Sequence, residues 1–446
     1  MKHKTTRRSF LERSARSSAT VAAASLLGGV HAFGAISPNV LRFGLIGCGG
    51  MMKGLTRHLC RGEKVAIAWQ CDVDPRQMDK VAEFIPADCQ PSPIKRTAWF
   101  EDVVGDDKVD ACIIATPHHW HAPIALAAIE SGKDVYIEKP ISHVFDEGLQ
   151  IISAAKKHGR VVQQGTQTRS SPVTAKARKL LDQGIIGEVK VARAWSAELE
   201  KQLIPEPDTE PPVGVDYDRW LGPAPSRPFN SLRFHKTWRK FRDYGNGEIG
   251  DDGVHDLDLA VWGLGVDTLP QQITARGGRM IREENASEYP DNMNVTYEFP
   301  DGRLVVYESL PFTPYGIHGY DSGNVFYGTE GYMVFSRRGA FNVYLGWKGE
   351  PGPTEGKELR GQRGNAQHMD EFVAAIRSRD PKIASHPELA HLGCGLVHLG
   401  EIASLAEKTL AFDPTAQRFV NSDEANRMLT KEYRDPYGLP SSQASS

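Results

Sequence analysis

Apolar positions in the first third of the chain come in short unbroken runs, each followed by a stretch of helical pattern. Leu41–Ile46, Val65–Gln70, Ala111–Ala115, Val135–Ile137 and Val161–Gln164 read as buried strands. Helices are expected from the turn after Ile46 through about Cys60, from His121 to Ser131 before Gly132, and from Asp146 to His158. Strands alternating with helices of this length predict an α/β chain that opens on a parallel, doubly wound sheet, 38–168.

Beyond Thr168 the pattern changes. A helix is expected over Pro172–Gln183, a strand near Val189–Ser196, a proline-rich loop over Pro205–Pro228 and a helix over Asp251–Leu264. Extended segments follow at Gln272–Gly277, Asn294–Phe299, Leu304–Ser309, Asn324–Tyr327, Tyr332–Ser336 and Phe341–Leu345. Glycine turns such as Pro300-Asp301-Gly302 join several of them, which predicts a large, mostly antiparallel sheet. Helices Asn365–Arg377 and Leu389–Leu410 close this α+β domain, 169–420, 421–446 reads as a C-terminal tail, and its Ser-rich terminus as disordered.

The 446 residues allow two domains with their own cores. A net charge of −3 gives no reason to expect nucleic acid or an anionic membrane surface as partner. No apolar run beyond the extreme N-terminus reads as a bilayer span, so no membrane anchor is expected in the mature form. The N-terminus, Thr6-Arg7-Arg8-Ser9-Phe10-Leu11 followed by the alanine-rich Thr20–Val30, has the layout of a twin-arginine export signal over 1–34. Cleavage after Ala32 or Gly34 would leave a periplasmic protein folded before export. Six cysteines without a CxxC pair predict neither a zinc site nor a disulfide framework.

Candidate chemistry gathers at the strand ends, where open parallel sheets bind ligands. Gly47-Cys48-Gly49-Gly50-Met51 follows the first strand and fits the opening of a dinucleotide fingerprint, with Met52 in place of the third small residue. Asp72 ends the second strand, where a carboxylate grips ribose hydroxyls and repels a 2′-phosphate, favouring NAD over NADP. Thr116-Pro117 and Glu138-Lys139-Pro140 end two more strands. From the residues alone, Lys139 is either a proton-transferring group or a surface lysine paired with Glu138. Asp251, His255, Asp258 and Trp262 fall on one stripe of the expected helix, readable as acid–base and substrate groups, a metal site, or a cap with a core histidine. His118-His119-Trp120-His121 is a poor metal site, since three histidines on one turn cannot all point one way; no metal is expected. Arg233–Arg242 mixes bases and aromatics, so Trp238 and Arg239 suit a sugar face and its hydroxyls, though a solvated loop or a nucleic-acid contact has the same composition.

Gly47-Cys48-Gly49-Gly50, Asp72, Ala115-Thr116-Pro117, Glu138-Lys139-Pro140 and Asp251-x-Gly253-x-His255-x-x-Asp258 together resemble the motifs of the Gfo/Idh/MocA oxidoreductases, across essentially the whole mature chain. The resemblance implies a Rossmann domain holding NAD and a second domain for substrate binding and oligomerisation, as a homodimer or homotetramer. It implies that Lys139 binds the substrate hydroxyl and assists proton transfer, with Asp251 and His255 against the substrate and the histidine as base. It also implies cofactor contacts from His118, His121, Glu138 and Gln167, and substrate contacts from Arg169 and Asp258.

The periplasm is not expected to hold a soluble nicotinamide pool. The reading is therefore an NAD-dependent oxidoreductase acting on a sugar or polyol, with its cofactor held and recycled internally. Some relatives implied by the resemblance are redox-neutral NAD-using glycosidases, which is the alternative. A non-catalytic sugar sensor is disfavoured by the presence of both Lys139 and His255.

Overall fold

Continuous apolar runs become strands covered on both faces. In the computed structural model, which describes residues 40–439 except 63, 91, 283, 314–315 and 357–363, the first sheet holds β1 (Leu41–Ile46), β2 (Val65–Cys71), β3 (Lys95–Thr97), β4 (Ala111–Ile114), β5 (Asp134–Ile137) and β6 (Val162–Gln164). The order is β3-β2-β1-β4-β5-β6 and every pair is parallel. Winding therefore reverses between β1 and β4, which opens a crevice at their carboxyl ends. β4 and β5 are buried at every position, the condition that makes them read as unbroken apolar runs. β3 carries no such signal because it is an edge strand, polar and partly exposed.

The second sheet contains β7 (Val189–Ser196), β8 (Gln272–Gly278), β9 (Asn292–Glu298), β10 (Leu304–Ser309), β11 (Ser322–Gly328), β12 (Gly331–Ser336), β13 (Ala340–Leu345), β14 (Glu350–Glu355), β15 (Leu410–Asp413) and β16 (Arg418–Phe419). Its order is β14-β13-β12-β11-β7-β10-β9-β8-β15-β16. β7 and β10 run parallel, while the pairs on either side are antiparallel. One face packs on helices Gly253–Leu264 and Pro387–Ala406 through Leu257, Val261, Tyr297, Phe326 and Leu399. The other carries a small cluster of Trp195, Val325 and Val334, with Tyr332 and Tyr344 stacked and half-buried beside it.

Four features depart from the sequence expectations. The helix expected over Asp251–Leu264 is two, Gly247–Asp251 and Gly253–Leu264, broken at Asp252. Gly250 and Gly253 flank the break at close packing contacts: a Cβ would lie 2.2 Å from Asn246 Cβ or 2.3 Å from the Tyr307 hydroxyl. Glycine also weakens helix continuity. Asp251 consequently ends its own helix, and His255 and Asp258 lie on the next one. Helix Asn365–Ser378 returns to the first sheet, where Met369, Phe372 and Val373 pack with Phe43, Leu45 and Tyr136. Residues 421–439 do not form a loose tail: Ala425 and Leu429 are buried, Lys431 Nζ pairs with Glu147 at 2.9 Å, and the Tyr437 ring meets Trp120 edge-on at 5.5 Å. Helix Pro387–Ala406 is long and apolar enough by composition to span a bilayer, yet 67% of its apolar window is buried, and it forms the core between the two sheets. The expected export signal and its cleavage points lie outside the described residues.

Candidate active site

A cleft of about 590 Å³ lies at the carboxyl ends of β1, β2, β4 and β5, a size suited to a small-molecule site. Gly47 leaves β1 with φ +83°, and a Cβ there would meet the Ala115 and Thr116 backbone at 2.8 Å. Glycine thus lets the first turn lie directly against the end of β4. Gly49 caps helix Gly50–Leu59 without a side-chain cap, and Gly49, Gly50 and Met51 line the cleft. Positions 49 and 50 have open space where a Cβ would be. The first-turn N–H groups of that helix suit an anion. Met52 is fully buried in the sheet–helix core, so the third fingerprint position serves packing.

Asp72 Oδ2 accepts from the Cys48 N–H at 2.7 Å, and Oδ1 accepts from the Asp74 N–H at 2.9 Å. These bonds clamp the glycine turn to the end of β2, and each oxygen keeps a lone pair for a ribose hydroxyl. Burial pushes the Asp72 carboxyl up to about 6. Cys48 itself is a buried thiol outside the cleft lining; its contribution is its N–H on Asp72. Thr116 and Pro117 line the cleft, and Thr116 Oγ1 is a buried hydroxyl with no hydrogen-bond partner. An orphaned hydroxyl beside the Gly47 cradle and an open helix N-terminus fit a dinucleotide.

Glu138 and Lys139 leave β5 into the same cleft. Glu138 Oε1 accepts from Gln167 Nε2 at 3.0 Å, and that nitrogen also donates to the Tyr136 hydroxyl at 3.0 Å. Burial pushes Glu138 up to about 7. Gln167 is absent from the lining and acts through Glu138. Lys139 Nζ donates to Asp251 Oδ1 at 2.6 Å and to the Asp251 carbonyl. Arg239 Nε donates to the same Oδ1 at 2.8 Å, with its guanidinium 4.2 Å from the Trp238 ring centre. Burial raises the Asp251 carboxyl, but Lys139 and Arg239 outweigh it and hold it well below the usual carboxylate range. Lys139, Trp238 and Arg239 line the cleft, while Asp251 ties two of them together from behind.

His118 lines the cleft, edge-on to Trp238 at 4.7 Å, with Nδ1 3.0 Å from Asn246 Oδ1. Burial holds its imidazole well below the ordinary histidine value. His121 does not face the cleft. Its Nδ1 lies 2.7 Å from the Pro140 carbonyl and its Nε2 3.0 Å from the Thr116 carbonyl, so it braces the loops after β4 and β5. Arg169 and Asp258, expected at the substrate, face each other instead. Arg169 Nε and Nη2 meet the two Asp258 oxygens at 2.7 and 2.9 Å, with side chains 6% and 1% exposed. His255 is partly exposed in the first turn of helix Gly253–Leu264, its N–H donating to the Asp252 carbonyl at 3.1 Å. Among the described residues no group of three His, Cys, Asp or Glu could hold a metal, and all six cysteines are free thiols.

Sequence reasoning missed the opposite wall. Arg219, Trp220, His235 and Lys236 line the cleft from residues 215–244, and Lys53 and Lys80 line it from the two helices after β1 and β2. The basic and aromatic composition of Arg233–Arg242 was the one signal pointing there.

Two family models match the chain. An oxidoreductase-family NAD-binding Rossmann fold covers residues 41–166, and an oxidoreductase-family C-terminal alpha/beta domain covers 174–326 and 335–439. A glycosyl hydrolase family 109 protein of Shewanella pealeana is 30% identical over 166 residues, a stretch that spans only 36% of either chain. An uncharacterized oxidoreductase of Bacillus subtilis is 24% identical over 294 residues, 65% of this chain and 71% of that one. Levoglucosan dehydrogenase, solved with NADH and levoglucosan, superposes with TM-score 0.64 at 19% identity, over 83% of this chain and 99% of its own. An aldose–aldose oxidoreductase from Caulobacter crescentus, solved with glycerol, gives 0.63 at 20% identity over the same 83% and 99%. At such identities the two structures share the fold. With both domains matched and the glycine turn, Asp72 and Lys139 gathered at one crevice, the chain belongs to the Gfo/Idh/MocA family of NAD-binding oxidoreductases.

Proposed function

We propose that this protein oxidises a hydroxyl of a sugar or polyol with an NAD that it keeps bound, and that the NADH formed is returned to NAD within each cycle by passing its hydride to the carbonyl of a second sugar. The observation that carries the reading is the meeting of Lys139 and Arg239 on Asp251 at the mouth of the cleft. With Asp251 ionised between two cations, the Lys139 amine has an acceptor on one side and open cleft on the other. It can donate to the substrate oxygen and orient it, while Arg239 and Trp238 offer a donor and a ring face to the rest of the sugar. His255, half-buried in the next helix and outside the cleft lining, is the group proposed on the family resemblance to take the hydroxyl proton. Gly47, Gly49, Gly50, Asp72 and Thr116 would hold NAD, which when bound accepts the hydride. Structural neighbours solved with levoglucosan or glycerol support a polyhydroxylated substrate.

Redox-neutral glycoside cleavage is the second reading, favoured by the family 109 relatives. Product analysis separates the two. Protein purified without added nucleotide is denatured to identify what it releases, and the native sample is screened against free sugars and glycosides. Released NAD with a carbonyl product supports the oxidoreductase, and released NAD with a freed aglycone supports the glycosidase. An empty protein that turns over only with added NAD would refute the retained cofactor.

We also infer a homo-oligomer through the open face of the second sheet. That face exposes the Tyr332–Tyr344 stack, and Tyr327 on it is 38% exposed. Light scattering at micromolar concentration should give a dimer or tetramer, and a monomer would end this proposal.

A further inference from the structure

The outer wall of the cleft comes from a segment that belongs to neither sheet. Residues 215–244 cross from the end of β2 to the end of β4, held together by an aromatic cluster that includes Trp220, Phe229, Phe234, Trp238 and Tyr244. On the β2 side, the Asp216 N–H donates to the Val73 carbonyl at 3.0 Å, and His235 Nε2 lies 2.9 Å from Asp74 Oδ2. On the β4 side, Trp120 Nε1 donates to the carbonyls of Arg219 and Trp220 at 3.1 and 3.2 Å. Gly222 comes so near that a Cβ would lie 2.1 Å from the Trp120 ring. β2 and β4 flank β1, so these contacts fasten the segment to both banks of the crevice where a dinucleotide lies in this fold.

The β2-side fastening is unusual. His235 has φ +62°, a conformation sparsely populated by residues other than glycine and often found at ligand clamps. In that conformation its ring lies tilted against Phe234, centroids 3.8 Å apart, and reaches Asp74, two residues beyond Asp72. Lys236 lines the same stretch, adding a cation that suits the charge of a pyrophosphate.

We propose that residues 215–244 form the outer half of the dinucleotide site, and that the contact between His235 and Asp74 fastens it over the adenosine end, so that the cofactor leaves only when this contact opens. The proposal rests on the retained-cofactor reading above. Its test is the exchange of bound nucleotide for isotopically labelled NAD, in the purified full chain. His235→Gly removes the ring and keeps the backbone conformation unstrained, and His235→Ala is the second variant. Asp74 is left intact because it caps helix Pro75–Ala82.

Losing a hydrogen bond to a charged group should speed exchange about ten- to a hundredfold in both variants. The nucleotide-stripped variants should keep one cooperative melting transition within a few degrees of wild type, which separates a lost fastening from a damaged fold. If wild type exchanges slowly and both variants do the same, the fastening is wrong and retention stands. If wild type exchanges as fast as the variants, the retained-cofactor reading falls and the proposal falls with it.

Discussion

Lys139→Ala should lower turnover about 10²–10⁴-fold, the usual contribution of a positioned acid–base group, while the protein stays folded and binds NAD. The fold tolerates the change because Asp251 keeps Arg239 as a partner at 2.8 Å. The cofactor tolerates it because the glycine turn, Asp72 and Thr116 lie on other strand ends. His255→Ala should cost a comparable factor, and the double variant should be little worse than the poorer single one, since groups that act as a unit are not additive. The measurement is steady-state turnover on the identified substrate, beside nucleotide content. Near-normal turnover in either variant removes that residue from the mechanism. Loss of NAD on mutation of Lys139 would make it a cofactor ligand first.

Arg169→Ala should destabilise the protein by about 3–5 kcal/mol, because it strands the Asp258 carboxylate in the core. With 1% of that side chain exposed, water cannot replace the guanidinium. The melting temperature should drop by roughly 10 °C. A substrate-binding arginine would behave in the opposite way, leaving the melting temperature unchanged and raising KM. Calorimetry and kinetics on the same sample therefore decide between the buried pair and the substrate contact implied by the family resemblance.

The Arg169–Asp258 pair illustrates what a sequence conceals. Asp258 lies one residue from buried Leu257 and Leu259 on a helix buried almost all round, and its partner is 89 residues away. Nothing local distinguishes a carboxylate that faces ligand from one that faces arginine. By contrast, Gly47, Asp72, Thr116 and Lys139 were legible because each lies within two residues of the end of a largely buried strand that leaves an apolar run in the sequence. β3 and β14 left no such trace. The first is a polar edge, and the second, Glu-Pro-Gly-Pro-Thr-Glu, contains prolines that edge strands tolerate. The wall made by His235 was hidden for the same reason as the ion pair, its contact with Asp74 spanning 161 residues. The break at Asp252 was hidden because Gly250 and Gly253 signal it only through neighbours, Asn246 and Tyr307, that the fold brings against them. Turn chemistry and strand burial are local, whereas ion pairs and walls are products of the assembled fold.

In the proposed reaction an NAD kept in this cleft takes hydride from a sugar-type substrate positioned by Lys139. A single-turnover absorbance experiment on protein purified without added nucleotide tests it most directly. Mixing the protein with a panel of sugars and glycosides should raise the NADH absorbance in proportion to enzyme, in a burst with the true substrate that Lys139→Ala slows about 10²–10⁴-fold. No change in NADH absorbance with any substrate that the protein demonstrably converts, or an undiminished burst in Lys139→Ala, would contradict the account.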